Sequence, residues 1–283
     1  MLSNKSRMSS EKMSSKKTAI TTALGLLAAM FSLQLSAHTM TVVPSHYVQS
    51  KTGGWVSVDV SATNMTFQWD KGIPLDNFKV FTPDGQQGKV GSVYQGKRKS
   101  QADVELATEG TYRLELVNGS RFFTSYELKG ERKRLMANKK DRATQLPAGA
   151  EKVMTTQGNS RSMAFITVNK PSDAVLALTN KGLEFQFDRH PADIVATEEV
   201  TVTLLMNGKP AAGVELDLSR DGELYRNEPA RVHHKTDASG KFSFTAPVAG
   251  RYLLEASYQA DVNNELTDKV REGFTLSFEA AMP

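Results

Sequence analysis

The chain has 283 residues, 39% of them hydrophobic and none of them cysteine, with 35 basic against 31 acidic side chains. The lack of cysteine excludes disulfides, thiolate metal sites and iron–sulfur clusters, so stability must come from a packed core. Residues 1–37 hold Lys5, Arg7, Lys12, Lys16 and Lys17 against Glu11, which leaves 30 basic and 30 acidic residues in the rest. That balance gives no reason to expect nucleic acid or an anionic membrane as a partner.

Residues 1–37 read as a signal peptide. A basic stretch ends at Lys16-Lys17, an apolar run extends from Ala19 to Leu35, and the small residues Ser36 and Ala37 follow. These are the three parts of a secretory leader. The alternative is an uncleaved anchor, but the run is short for a membrane span and no stop-transfer pattern follows it. Cleavage after Ala37 predicts a periplasmic protein with no membrane insertion and His38 as its first residue. The remaining residues are enough for two domains of ordinary size.

Along that remainder the ordered stretches alternate with period two and end in turn residues, the pattern of antiparallel sandwiches. Gly54 to Val60 is a predicted strand with either Trp55 or the valines facing inward. Phe78 to Phe81 runs into Thr82-Pro83-Asp84-Gly85, where Pro presets φ and Gly tolerates positive φ. Tyr112 to Val117 and Arg121 to Tyr126 flank Asn118-Gly119, a strong local hairpin signal. Lys129 to Gly158 is charge-dense, with a possible short helix near 137–144, and reads as a solvated excursion or a docking surface. Arg161 to Val168 returns as a strand, so the first domain is expected to cover 38–180.

The last third, 181–283, repeats the style. Predicted strands are Val200 to Met206, Val214 to Leu218, Arg231 to Thr236, Lys241 to Phe244, Gly250 to Ala256 and Gly273 to Phe278. Turn residues separate them at Asn207-Gly208 and Asp237-Ala238-Ser239-Gly240. Gly110-Thr111-Tyr112 and Gly250-Arg251-Tyr252 echo each other, each placing a tyrosine at the start of a late strand where sandwiches pin a corner. The expected fold is therefore all-β, with two immunoglobulin-like or transthyretin-like sandwiches and a charged, partly helical excursion late in the first.

Three features together resemble a known family: the leader ending in Ala37 before His38, the segment Gly182-Leu183-Glu184-Phe185 running to His190-Pro191, and the run from Asn207-Gly208 to Tyr252. The chain is similar to periplasmic proteins related to the NikM and NikK components of nickel and cobalt uptake systems. Its last run resembles transthyretin-like and carboxypeptidase-regulatory-like modules. The resemblance implies a divalent transition metal as ligand, nickel or cobalt first and copper next, and a membrane metal-uptake complex as partner.

Ligand chemistry points the same way. An N-terminal histidine offers an amine and Nδ1 to one ion, a pairing suited to Ni(II) or Cu(II). His190, before Pro191 in an interdomain loop, is a candidate second ligand. His46 joins His38 only if Pro44 turns the chain, since a straight strand would hold them about 26 Å apart. His233 and His234 are neighbours on a strand and point to opposite faces, so at most one serves any site. The candidate ligands are thus His38, His190 and His46. No nucleophile elbow, zincin motif or phosphate loop is present, and a binding protein is expected rather than an enzyme. The alternative reading is a structural or adhesion-type module that engages a cell-envelope protein or a glycan, with Trp55, Trp69 and Tyr94 as contact candidates.

Overall fold

The structure, a computed structural model, describes residues 39–283. Its strands in chain order are β1 (Thr39–Pro44), β2 (Val48–Gln49), β3 (Gly54–Thr63), β4 (Trp69–Gly72), β5 (Phe78–Phe81), β6 (Val93–Gln95), β7 (Ser100–Leu106), β8 (Gly110–Leu128) and β9 (Glu131–Leu135). A short helix α1 (Lys139–Arg142) precedes β10 (Glu151–Val168). Then come β11 (Leu183–Phe187), β12 (Glu199–Met206), β13 (Lys209–Pro210), β14 (Glu215–Arg220), β15 (Val232–Lys235), β16 (Lys241–Thr245), β17 (Gly250–Asp261) and β18 (Lys269–Ala280).

Three sheets stack. A central sheet runs β15-β14-β17-β18-β10-β8-β5, with β2 on β10 and β9 on β8. A first sheet, β1-β3-β7-β6 with β4 on β3, covers one face. A third, β11-β12-β13 with β16 on β12, covers the other. The alternation of β10 serves both: Met163 enters the core beneath the third sheet, and the adjacent Ala164 enters the core beneath the first. In the first core the valines of β3 (Val56, Val58, Val60) face Leu114, Leu116 and Ile166, so Trp55 points outward. In the second, Val200, Val202, Phe242 and Phe244 meet Leu216, Leu254, Leu276 and Phe278. The described chain is an all-β sandwich protein, as its alternation predicts. Residue 180 lies between β10 and β11, while the central sheet continues through the parallel pair β10–β18.

The tyrosine echo is structural. Tyr112 Oη donates to the Thr108 carbonyl at 3.1 Å, and Tyr252 Oη donates to the Val248 carbonyl at 2.6 Å. Each ring is buried, and each hydroxyl fixes the turn four residues before it. The glycines two residues earlier, Gly110 and Gly250, hold φ of 124° and 140°, which disfavours any side chain there.

The hairpin expected at Asn118-Gly119 does not form. A type I′ turn needs positive φ at both positions, and neither residue has it. Instead β8 continues to Leu128 because β10 pairs with it throughout, with irregularities near Gly158 and Glu151. The charged excursion is also more sheet than expected, since Glu131–Leu135 pairs back onto β8. Its helix is one turn, capped by Asn138, whose side chain accepts from Asp141 N. The excursion is tied down by Lys139 and Arg142 on Asp268, at 2.9 and 3.0 Å. Burial opposes ionisation of Asp268, but hydrogen bonds from Thr155 N, Lys139 and Arg142 prevail and hold its carboxyl below the usual range.

Candidate functional site

Residues directly opposite one another across neighbouring strands share a face. The registers align His233 of β15, Asp217 of β14, Glu255 of β17, Thr275 of β18 and Ser162 of β10 in one row. Their sequence neighbours Leu216, Leu254 and Leu276 fill the core on the opposite face. This polar row therefore looks toward the first sheet.

Strand β1 lies over it. Thr39 Oγ1 donates to Glu255 Oε1 at 2.8 Å. Thr275 Oγ1 donates to the Met40 carbonyl at 2.7 Å and lies 2.8 Å from Ser162 Oγ. Ser277 Oγ donates to the Val42 carbonyl at 2.6 Å. Hydroxyls of β18 thus satisfy the carbonyls of β1 that its partner β3 leaves unpaired. Val43 packs with Leu253 and Phe67 beside them.

Burial pushes the Glu255 carboxyl up, and the neighbouring Asp217 adds to that, while Thr39, Arg231 and Arg271 work against it. Asp217 accepts from His233 Nδ1. With Nδ1–H facing that carboxylate, the neutral ring keeps Nε2 as an acceptor, and the side chain is exposed. His234 points the other way. Its ring lies 5.7 Å from that of Phe242, and burial lowers its pKa.

The histidines put forward by the sequence fall elsewhere. His38 lies outside the described residues. His46 is exposed, with Nδ1 3.1 Å from Ser45 Oγ. Pro44 does not turn the chain: it pairs with Val58, and Ser45 N continues to Ser57 O. Thr39 and Ser45 are then about 20 Å apart along an extended strand. His190 has both ring nitrogens engaged. Nδ1 accepts from Ala192 N at 3.0 Å, so Nε2 carries the proton and donates to Thr111 Oγ1 at 3.0 Å. Thr111 in turn lies 3.1 Å from Thr167 Oγ1. Thr167 is five residues along β10 from Ser162, about 16 Å from the polar row. His190 and His46 therefore sit toward the Pro44 end of β1, away from Thr39.

Among the described residues no three His, Asp or Glu side chains converge as a metal site. Glu255, Asp217 and His233 stand in line, and an ion there needs further ligands from outside the row. Sequence reading missed Glu255 and Asp217 because each looks like an ordinary outward residue of an alternating strand. Their register is what sets them beside Thr39.

A second polar group lies on the opposite face. Glu115 meets Arg113 at 3.3 Å and Arg161 at 3.2 Å, and Arg161 meets Glu184 at 3.6 Å. Glu184 also accepts from Thr179 N and Asn180 N, both at 2.8 Å. Burial lowers the Arg113 pKa, but its guanidinium is matched by Glu115 and stacks 4.3 Å over Phe81. These charges pair with one another and bind β8, β10 and β11 together.

The domain family described as "Domain of unknown function (DUF4198)" matches residues 35–260. The chain belongs to this family. No curated protein matches it. Among solved structures it is similar to the D0-D1 domain of intimin, at 11% identity over 84% of this chain and 98% of that one, with a TM-score of 0.21. It is also similar to the Escherichia coli adhesin FdeC, at 13% identity over 87% and 64%, with a TM-score of 0.24. A DUF4785 family protein from Legionella pneumophila follows, at 10% identity over 79% and 52%, with a TM-score of 0.25. Scores this low transfer nothing about function. Among the described residues no helix is long and apolar enough to cross a membrane.

Proposed function

We propose that this DUF4198 protein binds a divalent transition metal, nickel or cobalt first and copper next, through the amine and imidazole of a mature N-terminal His38. Glu255 and His233 complete the donor set. The hydrogen bond from Thr39 to Glu255 carries the reading. It holds the residue next to His38 over the middle of a row that contains carboxylates and an imidazole.

The donor types fit. Nitrogen and carboxylate oxygen without thiolate suit nickel, cobalt or copper in their divalent states. Asp217 on His233 Nδ1 would serve as the outer carboxylate that fixes the tautomer and orientation of a ligating imidazole. His190 and His46 are left out of the donor set, the first by its engaged nitrogens and the second by its distance. The role is binding, not catalysis: presenting the ion to a membrane uptake complex, or buffering it in the periplasm.

Mass spectrometry of the secreted form comes first, to fix its first residue. Titration with nickel, cobalt, copper and zinc follows, on that form and on one with an extra alanine ahead of His38. The extra residue should abolish tight binding. Equal affinity with and without it, or no binding by the form that begins at His38, ends this reading.

A further inference from the structure

The outer face of the first sheet carries two aromatic rings, each laid against a glycine. Trp55 and Tyr94 are 58% and 64% exposed, whereas Trp69 is half-buried beside Phe67. A Cβ on Gly91 would stand 2.8 Å from Trp55 Cζ3, and one on Gly96 would stand 2.9 Å from Tyr94 Cε1. Both glycines also lie close to backbone, Gly91 to Asp103 O and Gly96 to Lys99 O. Any side chain at either position would lift the ring above it. With glycine there, each ring approaches the backbone closely and still stays largely exposed.

The registers put both rings on one face. Trp55 is opposite Glu105, Ser57 is opposite Asp103, and Asp59 is opposite Gln101, which is opposite Tyr94. Four residues along β7 and two strand spacings across separate Trp55 from Tyr94, about 16 Å between Cα atoms. The space between them is polar. Ser57 Oγ donates to Asp103 Oδ1 at 2.8 Å, Lys99 Nζ reaches Asp59 at 3.0 Å, and Gln101 presents an amide. Glu105 is also exposed, and Arg98, whose carbonyl accepts from the outward Ser61 Oγ at 2.8 Å, joins Lys99, so charges of both signs stand on this face.

We infer that this face binds an extended, neutral, β-linked oligosaccharide. Aromatic faces accept the apolar C–H side of a sugar ring, as they accept other flat partners. Carboxylates and an amide between the rings accept and donate to the hydroxyls along the chain's edge. Charges of both signs are mixed here and Asp59 is already paired with Lys99, so the face offers no concentrated charge to a polymer of either sign. Two platforms this far apart select a chain of several sugars over a monosaccharide. The inference is independent of metal binding, since these residues lie on the face of the first sheet turned away from the polar row.

The test is titration of the purified protein, in chelator, with cellohexaose, xylohexaose and chitohexaose, read by tryptophan fluorescence and calorimetry. At least one hexasaccharide should bind, with little dependence on salt and far more tightly than its monosaccharide. Trp55→Ala and Tyr94→Ala should each weaken binding by about five-fold or more, and Trp55→Phe by less. Both positions are exposed, and emission from Trp69 reports that the variants fold. In Trp69→Phe the ligand-induced change should persist, because it arises at Trp55. The inference is overturned if no hexasaccharide binds, if the double alanine variant binds like the parent, or if oligolysine binds in a salt-sensitive way and the sugars do not.

Discussion

The two ends of β1 are both polar, and they differ in what is left over. Near Pro44, His190 has each ring nitrogen in a hydrogen bond, and Thr111, Thr167 and Ser172 complete one another around it. Near Thr39, Asp217 ties one nitrogen of His233 and leaves the other exposed, while burial presses the Glu255 carboxyl toward its neutral form. A polar cluster that satisfies itself stabilises a fold, whereas one with unused capacity can recruit a ligand. The histidine that looked promising in sequence, His190 before Pro191, caps the single 3-10 turn Pro191–Asp193. His233, one of two neighbouring histidines on β15, has Asp217 on one ring nitrogen and an exposed side chain.

Variants at the two ends should separate these roles. His233→Ala and Glu255→Gln should each lower metal affinity by about 10- to 100-fold, measured by competition against a chelating dye. Equal affinity would remove both from the donor set. His190→Ala should leave affinity unchanged and lower stability by about 1–2 kcal/mol in urea denaturation, from the lost cap and the lost bond to Thr111. A fall in affinity there would reverse the comparison.

The acidity of Glu255 gives a smaller, signed effect. A carboxyl whose folded pKa is raised favours the fold when protonated, and that contribution is lost as pH rises through the folded pKa. Glu255→Gln should therefore make the metal-free protein more stable at neutral pH, by on the order of 1 kcal/mol, and remove the loss of stability that sets in as pH rises above the ordinary carboxylate range. A destabilised variant would mean the ionised carboxylate is held by more than Thr39. Last come the two corners: Tyr112→Phe and Tyr252→Phe should each cost about 1 kcal/mol of stability without touching metal affinity.

Much of the architecture could be read locally. Val56, Val58 and Val60 mark a buried face by alternation alone, and β7 does the same with Ala102, Val104 and Leu106. Asp237 and Gly240 announce their turn: Asp237 Oδ1 accepts from Ser239 N and Lys241 N, and the Lys241 bond does most to hold its carboxyl low. The Gly-x-Tyr echo foretold two corners. Asn118-Gly119 misled, because a long partner strand outweighed a good turn sequence. Of the candidate site, only the residue types were visible. Asp217, Glu255 and Thr39 are separated by tens to hundreds of residues, and nothing local marks them as neighbours.

The sequence by itself determined that this is an all-β sandwich chain without cysteine, with tyrosine corners and short polar turns. Those properties rest on side-chain alternation and on φ preferences within a few residues. Only the tertiary structure decided that β18 inserts between β17 and β10, that β1 lies over the polar row, and that two exposed rings share a sheet face. Strand partners are chosen by burial and hydrogen bonding across the whole chain, and a period of two fixes which way a residue points without fixing what it meets.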